Sequence, residues 1–256
     1  MTTLHLALAL GFVLIAMVIS YRQQLALEKS LLIGTVRAVV QLLFIGYVLQ
    51  LIFDLNSWSG LLALLLIMVA VASHNAAGHA KTLPRQVALL YMAGSLLLSA
   101  LITLGLLIGL GIISTEPRYI IPLSGMIIGN AMIAAGLTLN RLQAELASGQ
   151  GQINALLCLG ATVRQATAGA IKAAVRAGMS PTIDGMKTVG LVQLPGMMTG
   201  QIIAGASPIE AVKYQILIQL VLTASTSITS MAVGIWFVRP FFTKDLQPSE
   251  YYPRPS

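Results

Sequence analysis

Charged residues are scarce in this chain. Asp, Glu, Lys and Arg make up 9% of its 256 residues, against about 25% in an ordinary soluble domain. So few charges cannot cover a water-facing surface, which excludes a soluble enzyme and a disordered chain. Cysteine is nearly absent. Cys158 stands alone, so no internal disulfide is possible and a secreted disulfide scaffold is excluded. The Asn-x-Ser/Thr acceptor triplet does not occur. A phosphate-cradling Gly-x-x-x-x-Gly-Lys-Ser/Thr loop is missing too. Its nearest approach is Gly185-Met186-Lys187-Thr188, where Met186 separates glycine from lysine and Ser180 stands at the earlier glycine position. The chain is therefore expected to be no enzyme and to bind no cofactor of its own.

What remains is apolar: 57% of the residues are hydrophobic. A helix crossing a ~30 Å hydrocarbon core needs roughly 20 such residues. Runs of that kind fall at 4–20, 31–53, 58–73, 87–113, 119–139, 188–206 and 212–238. The third is short and is expected to extend past His74; the fourth is long enough to tilt, or to break near Gly105 or Gly109. The expected fold is an all-α bundle of about seven spans, with 1–242 as one transmembrane domain and 243–256 as a short cytoplasmic tail.

Placement of the charges supports that count. Net charge is +7, and twelve of the fifteen basic residues fall in alternate connecting segments. These carry Arg22 and Lys29; Lys81 and Arg85; Arg141, Arg164, Lys172, Arg176 and Lys187; and Arg239, Lys244 and Arg254. The positive-inside rule then puts the N-terminus outside and the C-terminus in the cytoplasm of a multi-pass membrane protein. The basic excess is topological, and nucleic acid is not an expected partner; the lipid bilayer is. Residues 1–11 hold no Lys or Arg, so the first run reads as a retained helix and not a cleavable leader.

The longest polar stretch, 140–187, is expected to lie on the cytoplasmic side. Ile171, Val175 and Met179 recur every fourth residue beside Lys172 and Arg176. That pattern reads as an amphipathic helix lying on the membrane surface or against a partner. Upstream, Leu159-Gly160-Ala161-Thr162-Val163-Arg164-Gln165-Ala166 places small residues at a turn between two short helices. It resembles the coupling segment of ABC transporter permeases.

A longer run carries a more specific likeness. Residues 177–200, from Ala177-Gly178-Met179-Ser180-Pro181 to Leu194-Pro195-Gly196-Met197-Met198-Thr199-Gly200, resemble the FetB-type permease family. That family includes bacterial iron-export ABC permeases and plant aluminium-tolerance permeases. The likeness continues through Ser207-Pro208-Ile209-Glu210-Ala211 and Ile121-Pro122-Leu123-Ser124-Gly125-Met126, and reaches Arg37-Ala38-Val39-Val40-Gln41-Leu42. It covers about 5–240.

The resemblance implies a permease subunit of a bacterial inner membrane that exports iron or another metal. It also implies a separate cytoplasmic ATP-binding subunit carrying ATP-Mg, two of each chain, docked on 153–187 through Leu159, Gly160, Ala161, Thr162 and Gln165. An ion-coupled transporter or channel without an ATPase is the alternative.

Polar groups inside hydrocarbon are costly and point to function by default. Arg37 and Gln41, i and i+4 on the second span, either snorkel and pair structurally or line a path. Asn130 and Gln193, Gln201, Gln215 and Gln219 are neutral groups suited to hydrogen bonds between helices. Met126, Met132, Met197 and Met198 suit soft ions or simple filling of space. Pro122 and Pro195-Gly196 can each interrupt a helix, and broken backbone is tolerated at membrane depth beside protein or a wet cavity. The path candidates are Arg37, Gln41, Met126, Asn130, Gln193, Pro195, Met197 and Met198. All eight acidic residues are expected in loops or near span ends, so no carboxylate cage for a hard cation forms in the core. His74 and His79 are five apart, the wrong spacing for a helical zinc pair, and are expected at the inner end of the third span. His5 sits at the outer end of the first, and Cys158 is expected to pack as a small apolar group.

Overall fold

The computed structural model describes residues 3–55, 58–243 and 245–253; Lys244, Arg254 and the side chains of His5 and Asp54 lie outside the described residues. Contacts divide the chain into two units, Met1–Ser57 and Trp58–Ser256, where the sequence suggests one domain over 1–242.

The first unit is a helical hairpin of α1 (Thr3–Arg22) and α2 (Glu28–Leu55). Its turn takes Gln24 and Ala26 through positive φ, 52° and 54°. Buried Ser20 pins that turn: its hydroxyl donates to Glu28 Oε1 at 2.7 Å and accepts from the Leu27 N–H at 3.1 Å. Glu28 sits in the first turn of α2, where the helix dipole favours an anion.

The second unit holds α3 (Trp58–Ala77), α4 (Arg85–Gly109), α5 (Pro117–Ser148), α6 (Gln150–Cys158), α7 (Val163–Ala166), α8 (Ala168–Thr188), α9 (Gly196–Ile203) and α10 (Pro208–Trp236). No extended strand occurs among the described residues, only isolated bridges. Five stretches are long and apolar enough to cross a membrane: Glu28–Gln50, Trp58–Ala77, Arg85–Gly109, Pro117–Ser148 and Pro208–Phe241. α3 passes His74 as expected. α4 runs through Gly105 without a break and stops at Gly109, beyond which Gly111 turns with φ +65°. α5 contains Pro122 yet continues to Ser148. At 32 residues, or about 48 Å at 1.5 Å per residue, it outruns the hydrocarbon core.

The largest departure from the sequence reading concerns 140–206. The apolar run 188–206 is not one helix: α8 ends at Thr188, a turn occupies 189–195, and α9 is only eight residues long. Nor does α8 lie apart from the bundle. It packs between α5 and α10, with Ala170, Ala174 and Gly178 buried. Small residues permit this approach. Gly178 reaches Thr138 and Ser230, while Gly234 of α10 sits under Val175 and Ile171. Ile171 and Val175 thus point at α10, and the charges of α8 lie on its other side.

Two apolar clusters fill the unit. One joins Val69, Leu96, Leu104, Ile127 and Ile128. The other joins Met92, Leu139, Leu142, Leu146, Phe237, Phe241 and Tyr252. Between the helices run hydroxyl contacts: Ser99 Oγ lies 2.9 Å from both the Ser225 carbonyl and its hydroxyl, linking α4 to α10. The segment read as a short cytoplasmic tail contributes Tyr252 to the second cluster. After a 3-10 turn at Arg239–Phe241, Phe242 bridges to Pro248, and buried Tyr252 donates its hydroxyl to the Leu146 carbonyl at 2.8 Å.

Candidate functional site: an elbow joined by one helix to an intrabundle cavity

The five residues of the coupling motif fold into one elbow. α6 ends with Gly160 at φ +88°, a left-handed conformation that glycine adopts without a Cβ penalty. The Gly160 N–H donates to the Leu157 carbonyl and the Ala161 N–H to the Leu156 carbonyl, both at 3.0 Å. This double bond to the last turn is a Schellman cap. α7 begins two residues later with a capping box. Thr162 Oγ1 accepts from the Gln165 N–H at 3.3 Å, and Gln165 Oε1 accepts from the Thr162 N–H at 2.9 Å. The two caps satisfy end groups that water would otherwise have to meet. They leave Leu159 projecting, 84% exposed. Cys158, expected to pack, is exposed beside it.

From the elbow the chain passes through buried Thr167 directly into α8. Thr167 Oγ1 donates to the Val163 carbonyl at 2.7 Å, joining the last turn of α7 to the first of α8. At its far end α8 meets a cavity of about 330 Å³. Met126 and Asn130 line it from α5, Gln193 and Pro195 from the turn, Met197 from α9, and Gln215 and Gln219 from α10. Five of the eight path candidates therefore share one wall. Met198 lines a neighbouring pocket of about 380 Å³ with Met186, Leu194 and Leu220. Arg37 and Gln41 lie on α2 in the first unit.

The turn at 189–195 closes on itself. Gly190 has φ +84° and donates to the Gln193 carbonyl at 3.0 Å. The Thr188 carbonyl accepts from Val192 at 3.0 Å and from Gln193 at 3.3 Å. Pro195 then caps α9 at a position where its missing N–H goes unmissed. Irregular backbone of this kind is tolerated in a membrane when it is buried in protein or borders a cavity.

Lining groups are amides, thioethers, hydroxyls and small residues; no ionisable side chain is among them. Asn130 Nδ2 donates to the Met126 carbonyl at 2.8 Å. Gln215, 8% exposed, lines both pockets, and its Oε1 has no hydrogen-bond partner among the described residues. A buried unpaired carbonyl is expensive and marks where a polar guest or water belongs. The path candidates omit Gln215 and also Gly178, Pro181, Thr182 and Gly185 of α8. Those four recur at i, i+3, i+4 and i+7, the spacing of one helix face, a pattern legible once α8 is placed inside the bundle.

The histidines do not converge. His74 Nε2 lies 2.6 Å from an Arg85 nitrogen, and His79 Nδ1 lies 2.9 Å from Asn140 Nδ2. His79 and Asn140 border a separate cavity of about 620 Å³ beside Gln143 and Pro253. Among the described residues no three His, Cys, Asp or Glu side chains cluster as metal ligands.

The sequence matches the family described as "Uncharacterised protein family (UPF0014)" over residues 3–242. The UPF0014 membrane protein YjkA of Bacillus subtilis is 42% identical over 243 residues, covering 95% of this chain and 96% of that one. The "Probable iron export permease protein FetB" of Escherichia coli is also 42% identical over 243 residues, 94% of this chain and 92% of the relative. The protein ALUMINUM SENSITIVE 3 of Arabidopsis thaliana is 39% identical over 242 residues, 94% and 88% of the two chains. No solved structure matches the chain. Matched along almost its whole length, the chain belongs to the UPF0014 family of membrane proteins.

Proposed function

We propose that the chain is the membrane permease subunit of an ABC exporter. A separate cytoplasmic ATP-binding subunit docks on the elbow at Leu159–Gln165 and carries ATP-Mg and the hydrolysis, while this chain binds no nucleotide. Two permeases pair with two ATPases in the inner membrane. The cargo is iron or another metal, by likeness to the relative named as an iron export permease. Seven crossings, with the N-terminus outside and the C-terminus inside, keep Arg22, Lys29, Lys81, Arg85, Arg141 and Arg164 at the cytoplasmic face; α8 and α9 in series make the sixth, which takes Lys172, Arg176 and Lys187 into that crossing.

One observation carries this reading: α8 runs unbroken from the elbow to the cavity. Its 21 residues span about 31 Å, and a helix of that length transmits displacement along its axis. Closure of two ATPases would push the elbow, and the same stroke would move Pro181 and Gly185 against the cavity. The break at 189–195 lets α9 respond separately from α8. The path then opens to the other face.

The test is reconstitution with an ABC ATP-binding subunit in liposomes, following ATP-dependent flux of iron and of rival substrates. Gly160→Arg should abolish ATPase co-purification and stimulation while membrane insertion persists. Undiminished co-purification and stimulation would remove the docking assignment. Flux that needs no ATPase would favour an ion-coupled transporter or channel.

A further inference from the structure

The outward side of α8 is charged at a depth where lipid would not tolerate it. Thr223 Oγ1 lies 3.1 Å from Met186 Sδ, and Thr223 stands near the middle of the 34-residue apolar stretch Pro208–Phe241. With Pro208–Phe241 crossing the membrane as proposed, Met186 lies close to mid-membrane. Asp184 and Lys187 lie two residues before it and one after, within about 3 Å along the helix axis at 1.5 Å per residue. Their side chains are 62% and 67% exposed on the outer side of the second unit. Lys187 Nζ donates to Asp184 Oδ1 at 2.8 Å, and Ser180 Oγ donates to Asp184 Oδ2 at 3.0 Å. Arg176, one turn further toward the elbow, is also exposed.

With α8 as part of the proposed sixth crossing, Asp184 is an intramembrane acid, where the sequence reading put it near a span end. Pairing lowers the cost of charge in hydrocarbon without removing it, because both ions still lose their water. Intramembrane charges accordingly face a bundle interior or a water-filled cavity. The buried side of α8 is already taken by α5 and α10, so this side needs water.

We propose that the face of α8 bearing Ser180, Ile183, Asp184 and Lys187 lines a water-filled conduit at mid-membrane, with the Asp184–Lys187 pair as its electrostatic gate. The proposal rests on the permease reading and goes beyond it, because these residues lie outside the cavity between α5 and α10. Lys187 and Ser180 occupy the two oxygens of Asp184. A charged solute passing the pair has to displace one partner or be screened from both. Pro181 and Gly185 border the cavity on one side of α8 and the pair borders the conduit on the other, so one helix forms a wall of each.

Thiol labelling in membranes tests this. In a Cys158→Ser background, Ser180→Cys and Ile183→Cys are compared with Leu101→Cys, an exposed apolar position on α4. Only a thiolate in contact with water reacts quickly, so a charged, membrane-impermeant thiol reagent should label the two α8 positions roughly ten-fold faster or more than Leu101→Cys. Equal, slow labelling at all three positions would overturn the conduit. So would an Ile183→Cys disulfide between two copies with no labelling of Ser180→Cys, which would show a dry contact between chains. Asp184→Asn and Lys187→Gln, which leave the α5 and α10 contacts untouched, should each change the charge preference of flux in opposite directions; no change in either would remove the gate. Fast labelling without ATP-driven flux would leave the conduit standing and overturn the ABC reading. ATP-driven flux without labelling would do the reverse.

Discussion

Gly178 of α8 lies so close to Thr138 of α5 that a methyl group on it would overlap the Thr138 hydroxyl. The same methyl would come within 2.8 Å of Ser230 Oγ on α10 and 2.9 Å of the Ala134 carbonyl. Three helices therefore meet at one hydrogen atom. Replacing a helical glycine by alanine ordinarily stabilises a helix by about 1 kcal/mol, but overpacking costs typically about 1–3 kcal/mol. One of the obstacles is backbone, which cannot rotate away, so the overlap should prevail. Gly178→Ala is expected to lower the unfolding temperature in detergent. Adding Thr138→Ala should recover part of the loss, since the Ala134 carbonyl remains. A Gly178→Ala variant as stable as the parent would show that α8 does not sit this tightly between its neighbours.

Gln215 separates stability from transport. Its Oε1 is buried without a partner among the described residues, a burden of about 1–3 kcal/mol for an unsatisfied group. Gln215→Met keeps the shape and removes the polar atom. It should be neutral, or should raise stability by about 1 kcal/mol, while flux falls. Full flux in that variant would mean that the amide is not a contact for cargo.

The elbow should loosen at its caps. Thr162→Ala removes the capping box, worth about 1 kcal/mol. Gly160→Ala forces a Cβ into the left-handed region, at about 1–2 kcal/mol. Both are local, so hydrogen exchange at amides 163–166 should quicken while the unfolding temperature of the bundle moves little. Unchanged exchange in both variants would mean that these caps do not hold the turn.

Tyr252 gives a pH dependence of known sign. Burial pushes its phenol up from 10 to about 12. The folded-state value exceeds the unfolded one, so its contribution is complete below pH 10 and is lost as pH rises through about 12. Tyr252→Phe loses the hydrogen bond to Leu146, about 0.5–1.5 kcal/mol at neutral pH, and should flatten the decline between pH 10 and 12. Parallel curves for parent and variant across that window would contradict the buried phenol.

Helices with strong hydropathy were legible in the sequence to within a few residues at most ends, because long apolar runs leave no alternative in a bilayer, but α5 runs on to Ser148, well past the expected end at 139. α8 was not. Lys172, Arg176, Asp184 and Lys187 depress its hydropathy, and amphipathic spacing is the same whether the polar side meets cytoplasm or a water-filled path. What places α8 is tertiary: Ala170, Ala174 and Gly178 fit α5 and α10, a relation between segments that no single window contains. The interruption before α9 was visible in Pro195-Gly196, since proline withholds a donor, but the eight-residue length of α9 was not. At the cavity, Asn130 and Met197 stood out by residue type. Gln215 was noted with them as a neutral polar group but not as a path candidate, because its distinction is the lack of a partner, which only coordinates reveal. The packing of Tyr252 under α5 was likewise hidden in a polar, proline-containing tail.

The charges on α8 also set the order in which the chain can be assembled. Partition of a nascent segment into lipid is decided by its own composition, and four charges among 21 residues argue against entry of α8 alone. One of its two supports, α5, is synthesised before it; the other, with Ser230 and Gly234, is made some forty to sixty residues later. By its own composition α8 is therefore expected to take its place between α5 and α10 only after the last long helix is made.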